Sequence, residues 1–107
     1  MKALKSVLEE ELQTSLRQQA EHEKAIAALP RGALVRKFVK GYQYYYLRMR
    51  KGNKVHYEYK GKLLAREIRQ YDGVRKDRAR HRKLLGNVKK RIAFIRRMLR
   101  SREMKTS

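Results

Sequence analysis

At Leu29–Gly32, Leu-Pro-Arg-Gly, the spacing of the apolar residues changes, and the chain on either side must fold differently. Before this point Leu4, Leu8, Leu12, Leu16 and Ala20 recur every four residues, with Val7 and Ile26 on the same broad side. That spacing predicts an amphipathic helix over residues 2–28. Pro30 lacks the N–H a helix needs, and it drives the residue before it out of the α region. After Gly32 the residues are β-branched and aromatic, and Gly41 and Lys51-Gly52-Asn53 supply turn chemistry. Three strands are expected there, at 33–40, 42–50 and 54–60.

Pairing like with like sets an expected register. A three-residue loop over Lys51, Gly52 and Asn53 pairs Met49 with Val55, Leu47 with Tyr57 and Tyr45 with Tyr59. A two-residue loop pairs Leu47 with Glu58 and Arg48 with Tyr57, mixing apolar and charged residues, so the longer loop is preferred. A two-residue turn at Gly41 sets Leu34 and Phe38 beside this group. The expected apolar face is then Leu34, Phe38, Tyr45, Leu47, Met49, Val55, Tyr57 and Tyr59. The other face carries Val35, Lys37, Val39, Tyr42, Tyr44, Tyr46, Arg48, Arg50, Lys54, His56 and Lys60, and the same alternation predicts that Tyr57→Ala is destabilising.

The third segment, 62–104, reads as helix. Leu85, Val88, Ile92, Ile95 and Leu99 form an alternating three-and-four seam, which continues backward through His81, Arg78, Val74 and Tyr71 with less apolar character. Tyr71-Asp72-Gly73 and Leu85-Gly86-Asn87 are expected breaks, giving two or three helical pieces or a kink. The seam at 85–99 must bury itself on the first helix, on the sheet, or in a homodimer. The architecture is therefore α+β, read as a single domain: an amino-terminal helix, a three-stranded antiparallel meander and a long basic helical segment.

Charge narrows the partners. Of the 107 residues, 30 are Lys or Arg and 10 are Asp or Glu, a formal net charge of +20. Residues 1–29 hold 4 basic and 5 acidic side chains, and residues 30–107 hold the other 26 and 5. A charge of this size opposes compaction and calls for a polyanionic partner. The stretch from Lys40 to Lys62 holds all but one of the seven tyrosines among its basic residues. Rings of this kind stack on bases at about 1–3 kcal/mol each while neighbouring cations hold phosphates. Arg75–Lys83 adds six basic residues in nine positions, opposed only by Asp77.

Other classes find little support. No cysteine is present, so neither disulfides nor thiolate metal sites are expected. Glutamates interrupt the first apolar stretch, unlike a signal peptide, and no run reaches the ~18 apolar residues of a membrane span. The chain is read as soluble and cytoplasmic, with no membrane partner. Glu58-Tyr59-Lys60 matches half of a metal-dependent nuclease site, but no aspartate precedes Asp72. The hairpin ending Tyr59-Lys60-Gly61 is weakly similar to the GIY-YIG nucleases and lacks their Gly-Ile-Tyr run. His22, His56 and His81 are far apart in sequence and read as surface residues. No catalytic residue, metal ligand or cofactor is expected.

The run from Leu29 to Lys62 resembles a family of small, uncharacterised bacterial and archaeal proteins. Its pattern falls on Gly32, Leu34, Val35, Lys40, Gly41, Tyr44–Leu47, Gly52, Tyr59, Gly61 and Lys62, about a third of the chain. The resemblance implies two hairpins followed by a helical tail and brings no activity with it. The tail here is far richer in arginine. A looser similarity links the Tyr-rich strands to the DNA-contacting amino-terminal sheets of phage integrases, which implies nucleic-acid contact by analogy.

These features point to a non-enzymatic nucleic-acid-binding protein, with RNA or a ribonucleoprotein favoured over duplex DNA because rings suit unpaired bases. The stacking candidates are Tyr42, Tyr44 and Tyr46. The phosphate candidates are Lys37, Arg48, Arg50 and Lys54 on the sheet, and Arg75, Lys76, Arg78, Arg80, Arg82, Lys83, Lys89, Lys90 and Arg97 on the helix. The alternative is an inhibitor or accessory protein of a phage or mobile element, such as an anti-CRISPR protein, acting on a nucleic-acid-binding enzyme or its guide RNA. A third reading is a structural subunit of a large ribonucleoprotein.

Overall fold

A computed structural model describes residues 3–101 and contains α1 (Leu4–Ala28), β1 (Ala33–Val39), β2 (Tyr42–Lys51), β3 (Lys54–Gly61) and α2 (Ala65–Leu99). The order and types are those of an α+β chain with a three-stranded antiparallel meander, β1-β2-β3. Two compact units are present. One is the sheet with the helix start, Leu29–Arg78; the other is α1 with the helical residues from Ala79 onward.

In the helical unit, His22 meets His81 and Gln18 meets Arg91, so the two helical segments run antiparallel. The covered line along α1 is Leu8, Leu12, Ser15, Gln19, His22 and Ile26, with Leu16 of the expected stripe also half-buried, while Leu4, Val7 and Ala20 stay exposed. This corrects the expected four-residue stripe. A row spaced strictly by four drifts around a helix of 3.6 residues per turn, whereas alternating three and four keeps to one side. On α2 the seam holds as expected: Val88, Ile92 and Ile95 are buried, with His81, Leu85 and Leu99 half-buried. The centre of this seam is buried within the single chain. The middle of the pair is polar. The Nδ1 atoms of His22 and His81 lie 3.1 Å apart, a hydrogen-bond contact whose donor and acceptor follow from the tautomers of the two rings. The two histidines are therefore not isolated surface residues.

The expected breaks in the third segment do not occur. α2 runs for 35 residues through Gly73 and Gly86. Each interior glycine costs only about 1 kcal/mol relative to alanine, less than ending and restarting a helix. The expected residues 102–104 lie outside the described residues. At the other end, the Leu64 N–H donates to the Glu67 carboxylate at 3.1 Å, a capping contact at the first turn.

The sheet register differs from the expected one in the second hairpin. β1 pairs with β2 through a two-residue turn, Val39 opposite Tyr42, as expected. β2 pairs with β3 through Gly52-Asn53 alone: Lys51 faces Lys54, Met49 faces His56, Leu47 faces Glu58 and Arg48 faces Tyr57. Gly52 has φ +62° at the first turn position, the requirement of a type II′ turn, whose twist matches that of the strands. A three-residue loop needs its left-handed residue last, where Asn53 stands. Counting tyrosines as apolar favoured the wrong register. The consequence is a reversal of β3 alone: Val55, Tyr57 and Tyr59 share the face of Tyr44, Tyr46 and Arg48, and Lys54 and His56 lie on the face of Leu47 and Met49. A bulge follows, with Tyr46 opposite Tyr59 and Tyr45 opposite Gly61, so that Lys60 is the extra residue.

On the inner face Tyr45 and Leu47 are buried and Leu34 and Met49 half-buried. Phe38, expected among them, is 67% exposed beside the β1–β2 turn, where it pairs with Gln43. Gly32 closes the face from one side. A Cβ there would stand 2.9 Å from two Leu47 side-chain carbons.

Two stability changes follow. Ser15 is fully buried, and its Oγ has no hydrogen-bond partner among the described residues, so Ser15→Ala should raise unfolding free energy by about 1–2 kcal/mol. Lys40 holds φ +50° in the first turn, a conformation asparagine tolerates far better, so Lys40→Asn should add about 1 kcal/mol. Chemical denaturation of each variant checks both, and a loss of stability in either contradicts the packing described.

Candidate nucleic-acid interface

Alternation along β2 sends Tyr42, Tyr44, Tyr46, Arg48 and Arg50 to one side of the sheet. The register then adds Lys37 opposite Tyr44, Tyr59 opposite Tyr46, and Tyr57 opposite Arg48. The result is a face with five tyrosines instead of the three expected. Tyr57 and Tyr59 are each 58% exposed and Tyr42 57%, while Tyr44 and Tyr46 are half-buried by their neighbours.

The rings form a connected set. Tyr59 sits with its centroid 5.2 Å from Tyr46 and 6.3 Å from Tyr44, both tilted, within the range aromatic pairs prefer. The Lys37 ammonium lies 5.3 Å from the Tyr46 ring centre and that of Lys62 lies 4.6 Å from Tyr42, both cation–π distances. These contacts hold the lysine stems across the sheet and leave their charged ends beside the rings. Arg48 and Arg50 continue the line with exposed guanidinium groups.

The other candidates are distributed differently. Lys54 belongs to the opposite face and is removed from this group by the register. Lys60 donates to the Glu58 carboxylate at 3.1 Å, and that hydrogen bond raises the ammonium above its ordinary pKa. Arg75 and Lys76 are exposed and Arg78 half-buried on the first part of α2. Arg75 pairs with Asp72 at 3.4 Å, and Arg78 donates to the Pro30 carbonyl. Arg80, Arg82, Lys83, Lys89, Lys90 and Arg97 are exposed on the part of α2 in the helical unit. Tyr57, Tyr59 and Lys62 were missed by the sequence reasoning. The signal that identifies the first two is the Gly-Asn dipeptide, which by itself selects the shorter turn.

Among the described residues no three His, Asp or Glu side chains come together in a way that would hold a metal ion, and no helix is long and apolar enough to cross a membrane. No protein-family model, curated protein or solved structure matches this chain.

The corrected faces reverse one stability expectation. Tyr57→Ala should change unfolding free energy by less than about 0.5 kcal/mol, as exposed substitutions do. Tyr45, only 6% exposed, should instead cost about 3–5 kcal/mol when cut to alanine. Urea unfolding of the two variants decides between the registers, and a cost for Tyr57→Ala comparable to that for Tyr45→Ala would restore the longer loop.

Proposed function

We propose that this chain is a non-enzymatic nucleic-acid-binding protein that takes unpaired bases, in RNA or a ribonucleoprotein by preference, on the tyrosine face of its sheet. The observation that carries the reading is the gathering of five tyrosines on one exposed face with Lys37, Lys62, Arg48 and Arg50 around them. Every base has a π-face, so stacking on tyrosine adds affinity with little dependence on sequence. The cations supply phosphate contact and draw the polyanion to the surface through the +20 net charge. Unpaired bases are favoured because a duplex hides their faces, and RNA is favoured because its specific recognition centres on unpaired loops and ends. The basic residues of α2, from Arg75 to Arg97, extend the phosphate-binding surface in this reading.

The two contributions separate in a salt series. Fluorescence anisotropy against single-stranded RNA, duplex RNA and duplex DNA should give tightest binding to the single strand at physiological salt. Combining Tyr44→Ala, Tyr46→Ala and Tyr59→Ala should weaken that binding at least about 30-fold, the loss of roughly 2 kcal/mol of stacking, with the salt dependence unchanged. Arg48→Gln with Arg50→Gln should instead flatten the logarithmic salt slope by about 1.4. Equal affinity for all three polymers, indifferent to the tyrosines, would mean charge alone and would turn attention to the inhibitor or accessory role.

A further inference from the structure

The inner side of the sheet carries a second feature, unconnected with the tyrosine face. A cavity of about 540 Å³ opens between β1, the turn before it and the first part of α2, all within the Leu29–Arg78 unit. Leu34, Tyr45, Ile68 and Val74 give it an apolar floor and wall. Four arginines line it as well: Arg31, Arg36, Arg75 and Arg78. A gap of this kind between a sheet and a helix ordinarily fills with aliphatic side chains, since interiors pack closely. Here the guanidinium groups would repel one another if it closed, and only an anion would draw them together.

The charges can be followed one by one. Two carboxylates, Glu67 and Asp72, also line the cavity, leaving an excess of two positive charges. Glu67 is engaged by the Leu64 N–H at the helix start, and Asp72 lies beside Arg75. Arg78 is held by the Pro30 carbonyl, which fixes its guanidinium at the rim while leaving its charge uncompensated. Arg31 and Arg36 are exposed and have no ion pair among the described residues. Tyr71, half-buried, adds an aromatic ring to the same cavity.

We infer that this cleft binds a phosphate monoester carried on a nucleoside. A monoester has about −1.5 to −2 charges near neutral pH, which matches the excess of two, whereas an internal phosphodiester brings only one. Arginine presents paired donors that fit phosphate oxygens, and Tyr71 offers a ring for the base. The volume is that of a small-ligand pocket, which spans roughly 300–1,000 Å³. The same chemistry is presented by a free nucleoside monophosphate and by the phosphorylated end of a strand. The site stands whether or not the tyrosine face binds bases.

The test uses the full chain and backbone amide chemical shifts from NMR. Adenosine 5′-monophosphate should move the amides of Ala33, Leu34, Tyr71 and Val74, and adenosine without its phosphate should not. Arg31→Gln with Arg36→Gln, both exposed positions, should weaken the monophosphate at least tenfold while the thermal unfolding midpoint holds. The triple tyrosine variant should leave it unchanged. A short RNA bearing a 5′-phosphate, compared with its 5′-hydroxyl form, then identifies the source. A tenfold advantage lost in the arginine variant assigns the strand end, and no advantage assigns the free nucleotide. Equal shifts from nucleoside and monophosphate, shifts confined to Tyr42–Tyr46 and Tyr57–Tyr59, or no shifts at millimolar ligand would overturn the proposal. Tight RNA binding with no response at the cleft would leave the tyrosine face standing and remove this site alone.

Discussion

The turn at Gly52-Asn53 governs the chemistry of the sheet. Glycine at its first position takes the positive φ that a type II′ turn demands, and a two-residue turn allows one register. Since side chains alternate, moving the register by one residue would carry every side chain of β3 to the other face. As formed, it sends Tyr57 and Tyr59 outward to join three tyrosines of β2. It also sends Lys54, His56 and Glu58 to the inner face, where the open edge of β3 leaves them exposed. The inner face consequently has a small core of Tyr45 and Leu47, and room beside it for the arginine-lined cleft.

Each compact unit buries little, and each contains a polar element in its interior. In the helical unit the seam passes from Val88, Ile92 and Ile95 to Ser15, Gln19, His22 and His81. In the sheet unit the space between β1 and α2 is edged by guanidinium groups. A chain with this much positive charge gains less from closing its surfaces than a neutral one, because compaction concentrates like charges. Binding an anion reverses that term, and any ligand selective for the folded chain raises its stability by mass action. The two proposed sites divide the work by chemistry. The outer face offers flat rings for bases, and the inner cleft offers convergent charge for a terminal phosphate.

Much of this was legible in the residues. Pro30 and the change from helical to alternating spacing marked the boundary after α1, and the two glycine-containing turns marked the meander. The β2 face assignment, Tyr42, Tyr44 and Tyr46 against Tyr45 and Leu47, followed from alternation on one strand and holds. What failed was the β3 assignment, for a physical reason: tyrosine is apolar by ring and polar by hydroxyl, so its presence on a strand does not say which face is buried. The predicted breaks at Gly73 and Gly86 failed because a glycine weakens a helix without ending it.

By itself the sequence determined the element order, the division into a near-neutral helix and a basic remainder, and the concentration of tyrosine and arginine in one hairpin. These are local matters of backbone restriction, side-chain periodicity and charge, and they do not depend on distant contacts. Only the tertiary structure decided which tyrosines share a face, that His22 meets His81 across 59 positions, and that Arg31 and Arg36 line the same cavity as Arg75 and Arg78. Such groupings arise from register and from the packing of separated segments, where one turn residue outweighs the apparent preference of several side chains.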